Sequence, residues 1–90
     1  MLNNLAVLLH DKGDLDSAER MYRQTLDGTR SAHGAEHPLV ATALNNLGVV
    51  LERMGRTEEA ITHYRRAEEI QPGYVDAANN LSRLGVKAGP

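Results

Sequence analysis

The residues of this chain that could do chemistry are its four histidines and a few paired acids, and their spacing decides what they can do. His33 and His37 stand four apart, the interval at which two imidazoles on one helical turn hold a metal ion. Gly34 lies between them and Pro38 follows, so the segment reads as a linker or a helix start and not as a metal site. His10 and His63 are far apart in sequence, and neither has an evident carboxylate partner. Asp14 with Asp16, and Glu58 with Glu59, fall at expected helix starts, where capping and the positive end of the helix dipole account for acids. General acid–base catalysis needs a carboxylate with a shifted pKa in a cleft, and no pattern here calls for one. Cysteine is absent, which removes a thiolate nucleophile, a thiolate metal site and a disulfide framework. A glycine-rich phosphate loop and a Ser-His-Asp order are missing as well. The expectation is a chain that is not an enzyme, with no catalytic residue, no metal and no cofactor.

Charge narrows the partners. Ten basic residues against twelve acidic give a formal net charge of −2, and no basic stripe is interleaved with aromatics. Arg65-Arg66 and the pair Arg20 and Arg23 are short clusters that suit a solvated helix face, so nucleic acid is not an expected partner. The start Met1-Leu2-Asn3-Asn4-Leu5 lacks the basic, apolar and small-residue parts of a secretion signal, and no apolar run approaches a membrane span. The expected setting is soluble and cytoplasmic, without a membrane.

Asparagine is the residue that asks for a function. Asn3, Asn4, Asn45, Asn46, Asn79 and Asn80 come in pairs, each inside a helical pattern, where asparagine is a poor choice. Their context repeats: Leu-Asn-Asn-Leu starts at residues 2 and 44 and Ala-Asn-Asn-Leu at 78, which sets periods of 42 and 34. Periods of that size mean stacked helical units that cannot bury their apolar faces alone, and such stacks work through surfaces. Amides offer both donor and acceptor, so the pairs can hold the backbone of an extended peptide or can bond between adjacent units and register the stack. Both roles stay open at the level of sequence.

Leu44-x2-Leu47-Gly48-x2-Leu51, then Ala60-x3-Tyr64, then Pro72, resembles a tetratricopeptide repeat. The first unit keeps Leu2-x2-Leu5-Ala6-x2-Leu9 and Ala18-x3-Tyr22 but has Arg30 at the proline place and eight extra residues; the third keeps Ala78-x2-Leu81-Ser82 and stops. Gly34-Ala35-Glu36-His37-Pro38 before an Asn-Asn-Leu helix is more particular and resembles the lengthened repeats of kinesin light chains, in which such units form a cargo-binding groove. The resemblance implies an all-α solenoid of antiparallel helix pairs with about five helices. Its units would be a lengthened repeat over 1–40, a full repeat over 41–74 and, over 75–90, a terminal half repeat that serves as a capping helix, the polar side of Asp76, Asn79, Arg83 and Lys87 closing the stack. It also implies that the first helix of each pair lines a concave groove, which would place Asn3, Asn45, Asn46, Arg53, Asn79, Asn80 and Arg83 against a protein or peptide partner. The lysine-rich clamp that co-chaperones of this superfamily close on a C-terminal carboxylate is not matched: Asn3, Val7, Asn46, Asp76 and Asn80 occupy its places, and only Asn46 agrees. The implied function is a protein- or peptide-binding scaffold. The alternative is a structural assembly module or part of a longer array, since Met1, Val7 and Leu8 of the first helix would be left uncovered and could join a second copy.

The elements that must position these residues follow from apolar spacing. Leu2, Leu5, Ala6 and Leu9 make one face of a first helix that Gly13 ends. Asp14 caps a second helix with Leu15, Ala18, Met21, Tyr22, Thr25 and Leu26 inward. Pro38 opens a third with Leu44, Leu47, Gly48 and Leu51, closed by Gly55. Thr57 caps a fourth with Ala60, Ile61, Tyr64, Ala67 and Ile70 inward, stopped at Pro72-Gly73. A fifth runs from about Tyr74 to Val86 with Ala77, Ala78, Leu81 and Leu84 inward. Ala6, Gly48 and Ser82 fall on equivalent places, as do Ala18 and Ala60, and small residues there predict close helix contacts.

Overall fold

The computed structural model describes residues 14–86, and the described residues form four helices and no strand. Helix α1 spans Leu15–His33, α2 spans Pro38–Arg53, α3 spans Thr57–Ile70 and α4 spans Val75–Arg83. The first expected helix, with Leu2, Asn3 and Leu5, lies outside the described residues, so the expected five stand at four among those described.

Local chemistry sets most of the boundaries. The Asp14 carboxylate accepts from the Ser17 amide at 3.2 Å, satisfying one of the free donors at the start of α1. Pro38 takes the first position of α2, and the His37 ring caps it, Nδ1 accepting from the Leu39 amide at 3.1 Å. Between α2 and α3, Gly55 adopts φ +81°, a left-handed conformation open to glycine at little cost.

Thr57 does not cap α3, contrary to expectation. The Arg56 amide turns back to the Leu51 carbonyl at 2.9 Å, and the Arg56 carbonyl already accepts from Ala60 at 3.1 Å, so the helix begins one residue early. Thr57 is then the first helical residue. Arg56 forms no side-chain cap and instead forks onto Glu59 and reaches Glu19 of α1 at 3.0 Å. The Arg23 guanidinium and, beside it, Arg56 hold the Glu19 carboxyl below its ordinary pKa against the opposing effect of burial. The last helix is also shorter than its apolar pattern, ending at Arg83 because Gly85 takes φ +78° and the Val86 amide returns to the Leu81 carbonyl at 2.8 Å.

Packing follows the same periodicity. Ala18, Tyr22 and Leu26 of α1, spaced by four, form one buried stripe, and Ala60, Tyr64 and Ala67 do the same on α3. Helix α2 is central: Val40, Ala41, Ala43, Leu44, Leu47, Gly48, Val50 and Leu51 are all buried, which is why it is apolar on most of its circumference. Ala77 and Leu81 bring α4 onto this core, with Leu84 and Val86 partly covered beside them. Each described helix packs on the next in sequence, the arrangement of a stack of helix pairs.

Gly48 is where the approach is closest. A Cβ there would lie 2.6 Å from Cε1 of Tyr64 and 2.9 Å from Cδ1, so α2 and α3 meet through a bare backbone against an aromatic ring. That contact offsets the cost of about 1 kcal/mol that glycine carries in mid-helix.

Candidate functional site

The amide and charged residues of α2 and α4 sort into a seam and a surface. In the seam, Asn45 is buried, 5% exposed, and its Oδ1 accepts from Nδ2 of Asn80 at 2.9 Å. Asn80 in turn accepts from Arg83 at 3.2 Å, and the Arg83 guanidinium forks onto both oxygens of Glu52. Glu52 also accepts from the buried Tyr64 hydroxyl at 2.9 Å. Five side chains from three helices thus form one connected polar line that seats α4 on α2 and α3.

The electrostatics follow from that geometry. The Arg83 guanidinium, with help from the Tyr64 hydroxyl, holds the Glu52 carboxyl below the usual carboxylate range, although partial burial pushes the other way. Burial drives the Tyr64 hydroxyl far above its ordinary value, and the negative carboxylate beside it adds to the effect. The hydroxyl is therefore a fixed donor.

Of the expected groove residues, Asn3 lies outside the described region, and Asn45 is buried behind the surface and not on it. Asn80 and Arg83 are spent on the seam, although Arg83 stays exposed enough to be met from outside. Asn46, Arg53 and Asn79 form no hydrogen bond or ion pair among the described residues. Asn46 is half-buried, and the other two are exposed. Thr42, Asn46, Val49 and Arg53 recur at intervals of four, three and four, so they run as one stripe along α2. None of the four is buried. The stripe continues N-terminally to Leu39, which is 50% exposed.

Sequence reasoning placed Tyr64 in the core but missed its hydroxyl as the inner end of the polar line. A tyrosine where related repeats carry phenylalanine was the available signal, because a buried hydroxyl needs an acceptor.

The histidines hold no such arrangement. The His33 and His37 rings stack with centroids 4.4 Å apart, and His63 Nδ1 meets the Glu59 carbonyl at 2.8 Å. Among the described residues, no group of three or more His, Asp or Glu side chains is placed to hold a metal ion.

The seam carries a test of its own. Asn80→Ala leaves the buried Asn45 oxygen without a donor, a loss of about 1–3 kcal/mol, while alanine returns roughly 0.5 kcal/mol of helix propensity. A net fall of about 1–2 kcal/mol in urea unfolding is expected. Equal or greater stability would show that the Asn45·Asn80 bond does not seat α4.

Comparison with known proteins agrees with this architecture. A photosystem I assembly protein, Ycf3, of Synechococcus sp. (strain WH7803) is 28% identical over 99 aligned residues, which cover 93% of this chain and 53% of the relative. The chain spans about half the length of that curated relative. The family model described as tetratricopeptide repeat matches residues 1–73. With most of the chain inside that match and its helices packed in sequence order around a glycine–tyrosine contact, the chain belongs to the tetratricopeptide repeat family.

Proposed function

We propose that this chain is a non-enzymatic scaffold that holds a protein partner, or an extended peptide segment of one, along the stripe Thr42, Asn46, Val49 and Arg53. Tetratricopeptide repeats generally mediate protein–protein interaction, and the finer assignment rests on the residues. The observation that carries it is the pair Asn46 and Arg53: two polar side chains on one face of α2, neither bonded among the described residues, beside a helix partner whose own amide is engaged. An arginine fork and a free amide can both grip backbone carbonyls, and Val49 between them offers an apolar contact. Glu52 and Asp76 alternate with Arg53 and Arg83, so charge alone does not select the partner.

The proposal includes the kinesin-light-chain-like organisation, with a lengthened unit over 1–40, a full unit over 41–74 and a half unit over 75–90, working in the cytoplasm. No helix among the described residues is long and apolar enough to cross a membrane.

A peptide selected from a random displayed library against the 90-residue chain tests the groove. Arg53→Ala and Asn46→Ala should each weaken its binding by about 0.5–1.5 kcal/mol per lost hydrogen bond while the melting temperature holds. Full affinity in both variants would place the binding surface elsewhere. A second reading, an assembly module, is favoured by one observation: Val75 on the open face of α4 is 64% exposed.

A further inference from the structure

The charges along the groove cancel in sum and differ in place. Glu52 is held by Arg83, so that pair neutralises itself across the seam. Arg53 is left exposed in the last turn of α2 and Asp76 in the first turn of α4, and neither forms an ion pair or side-chain hydrogen bond among the described residues. The helix dipole favours a cation at one end and an acid at the other, but it leaves open which face of the helix carries them. Here both are on the groove side. Arg53 ends the stripe of Thr42, Asn46 and Val49, and Asp76 precedes Asn80 and Arg83 by four and seven residues, on the face from which those two side chains reach α2.

The same contacts fix how far apart the two charges stand. Asn80 meets Asn45 and Arg83 meets Glu52, so α4 runs beside α2 in the same direction. One turn before Asn80, Asp76 is level with Ala41, and Arg53 lies twelve residues further along α2. That length of helix rises about 18 Å and neighbouring helix axes lie about 8–10 Å apart, so the charges are separated by roughly 20 Å. An extended peptide covers that distance in about six residues.

We propose, resting on the reading of this groove as a peptide site, that its occupant is an extended segment with an acidic and a basic side chain about six residues apart, the acid at Arg53 and the base at Asp76. The Arg53 fork takes a carboxylate in two parallel bonds, and Asp76 takes a lysine or arginine. Asn46 and Val49 lie between the two ends, against the backbone and one apolar side chain of the segment. Opposed charges give the segment one direction: turned end for end, it sets acid against Asp76 and base against Arg53, and both contacts become repulsive. The sum of charge does not select the partner; its order along the groove does.

Selection from a random displayed peptide library against the 90-residue chain and its variants tests this. Peptides taken by the parent are expected to carry Asp or Glu and Lys or Arg about six positions apart, always in the same order. The doubly reversed variant, Arg53→Glu with Asp76→Lys, should select the opposite order. Arg53 adjoins Glu52 in sequence, so neutral variants keep the test free of damage to the seam. Arg53→Gln should drop the acid from the selected sequences while keeping the base, and Asp76→Asn the reverse. Against one fixed peptide taken by the parent, each neutral variant should bind up to about fivefold more weakly, the worth of one exposed ion pair, and the difference should fade in about 1 M salt. Both sites are exposed, so circular dichroism melts of the neutral variants should remain those of the parent. One order selected by both the parent and the doubly reversed variant, or peptides without a charge pattern that still bind more weakly to Asn46→Ala, would overturn the proposal and leave the groove standing. Peptides whose binding ignores Asn46→Ala, Arg53→Gln and Asp76→Asn alike, or a library that yields none, would overturn the groove itself and this proposal with it.

Discussion

Gly48→Leu should unfold this domain or bring it close to unfolding. The first added carbon alone would sit 2.6 Å from Tyr64 Cε1, 2.9 Å from Cδ1 and 3.1 Å from Cζ, and leucine adds three more. The ring cannot swing aside, because it is fully buried and its hydroxyl is tethered to Glu52 at 2.9 Å. Overpacking of a filled core commonly costs about 1–3 kcal/mol and sometimes more, and a rigid aromatic neighbour puts this site at the upper end. Leucine recovers roughly 0.8 kcal/mol of helix propensity, which does not reverse the sign. Against a total stability on the order of 5 kcal/mol for a small domain, most of the folded state is at stake. Thermal melts of the variant check this, and Tyr64→Leu added to Gly48→Leu should restore part of the loss by clearing the ring. An unchanged melting temperature in Gly48→Leu would mean that α2 and α3 do not approach this closely.

Glu52→Ala should be the next most damaging change, at about 2 kcal/mol, because it strands a buried donor. The buried Tyr64 hydroxyl loses its acceptor, a penalty of about 1–3 kcal/mol, while the exposed Arg83 guanidinium recovers water and contributes little. The same group makes stability depend on acid. Its folded pKa lies below its unfolded value, so the stabilisation is fully present above the ordinary carboxylate range of about 4.3 and fades as pH falls through the depressed value. Tyr64 acts at the other extreme: its folded pKa is raised, so its contribution is present below about 10 and is lost as pH rises beyond that. Urea midpoints followed from neutral to acid pH should fall more steeply for the parent than for Glu52→Ala. Parallel curves would show that Glu52 is not the group responsible.

How far the fold could be read from sequence depended on how local each determinant is. Asp14, Pro38 and Gly55 announce helix ends because capping and left-handed backbone are decided within a few residues, and the structure uses all three. The packing role of Gly48 was also legible, since a repeat register fixes which small residue faces a paired helix. Thr57 misled because its rival was not local: the Arg56 amide is taken by the end of α2, which moves the start of α3 by one residue. The candidate site was legible only in part. The pairs Asn45-Asn46 and Asn79-Asn80 marked the right helices, but which amide reaches its neighbour depends on how α4 is rotated against α2. That rotation is set by side chains 31 and 35 residues apart in the Arg83–Glu52 and Asn80–Asn45 contacts, beyond the reach of any periodicity.

The central claim is that Asn46 and Arg53 face a partner while Asn45 and Asn80 hold the stack. Chemical-shift mapping by nuclear magnetic resonance, with a library-selected peptide titrated into isotope-labelled chain, tests it most directly. The Asn46 side-chain amide and the backbone amides of Thr42, Val49 and Arg53 should shift in proportion to occupancy, while the Asn45 side-chain amide keeps its free position. Shifts confined to the exposed side of α3, at Glu58, Thr62 and Arg65, would contradict the groove.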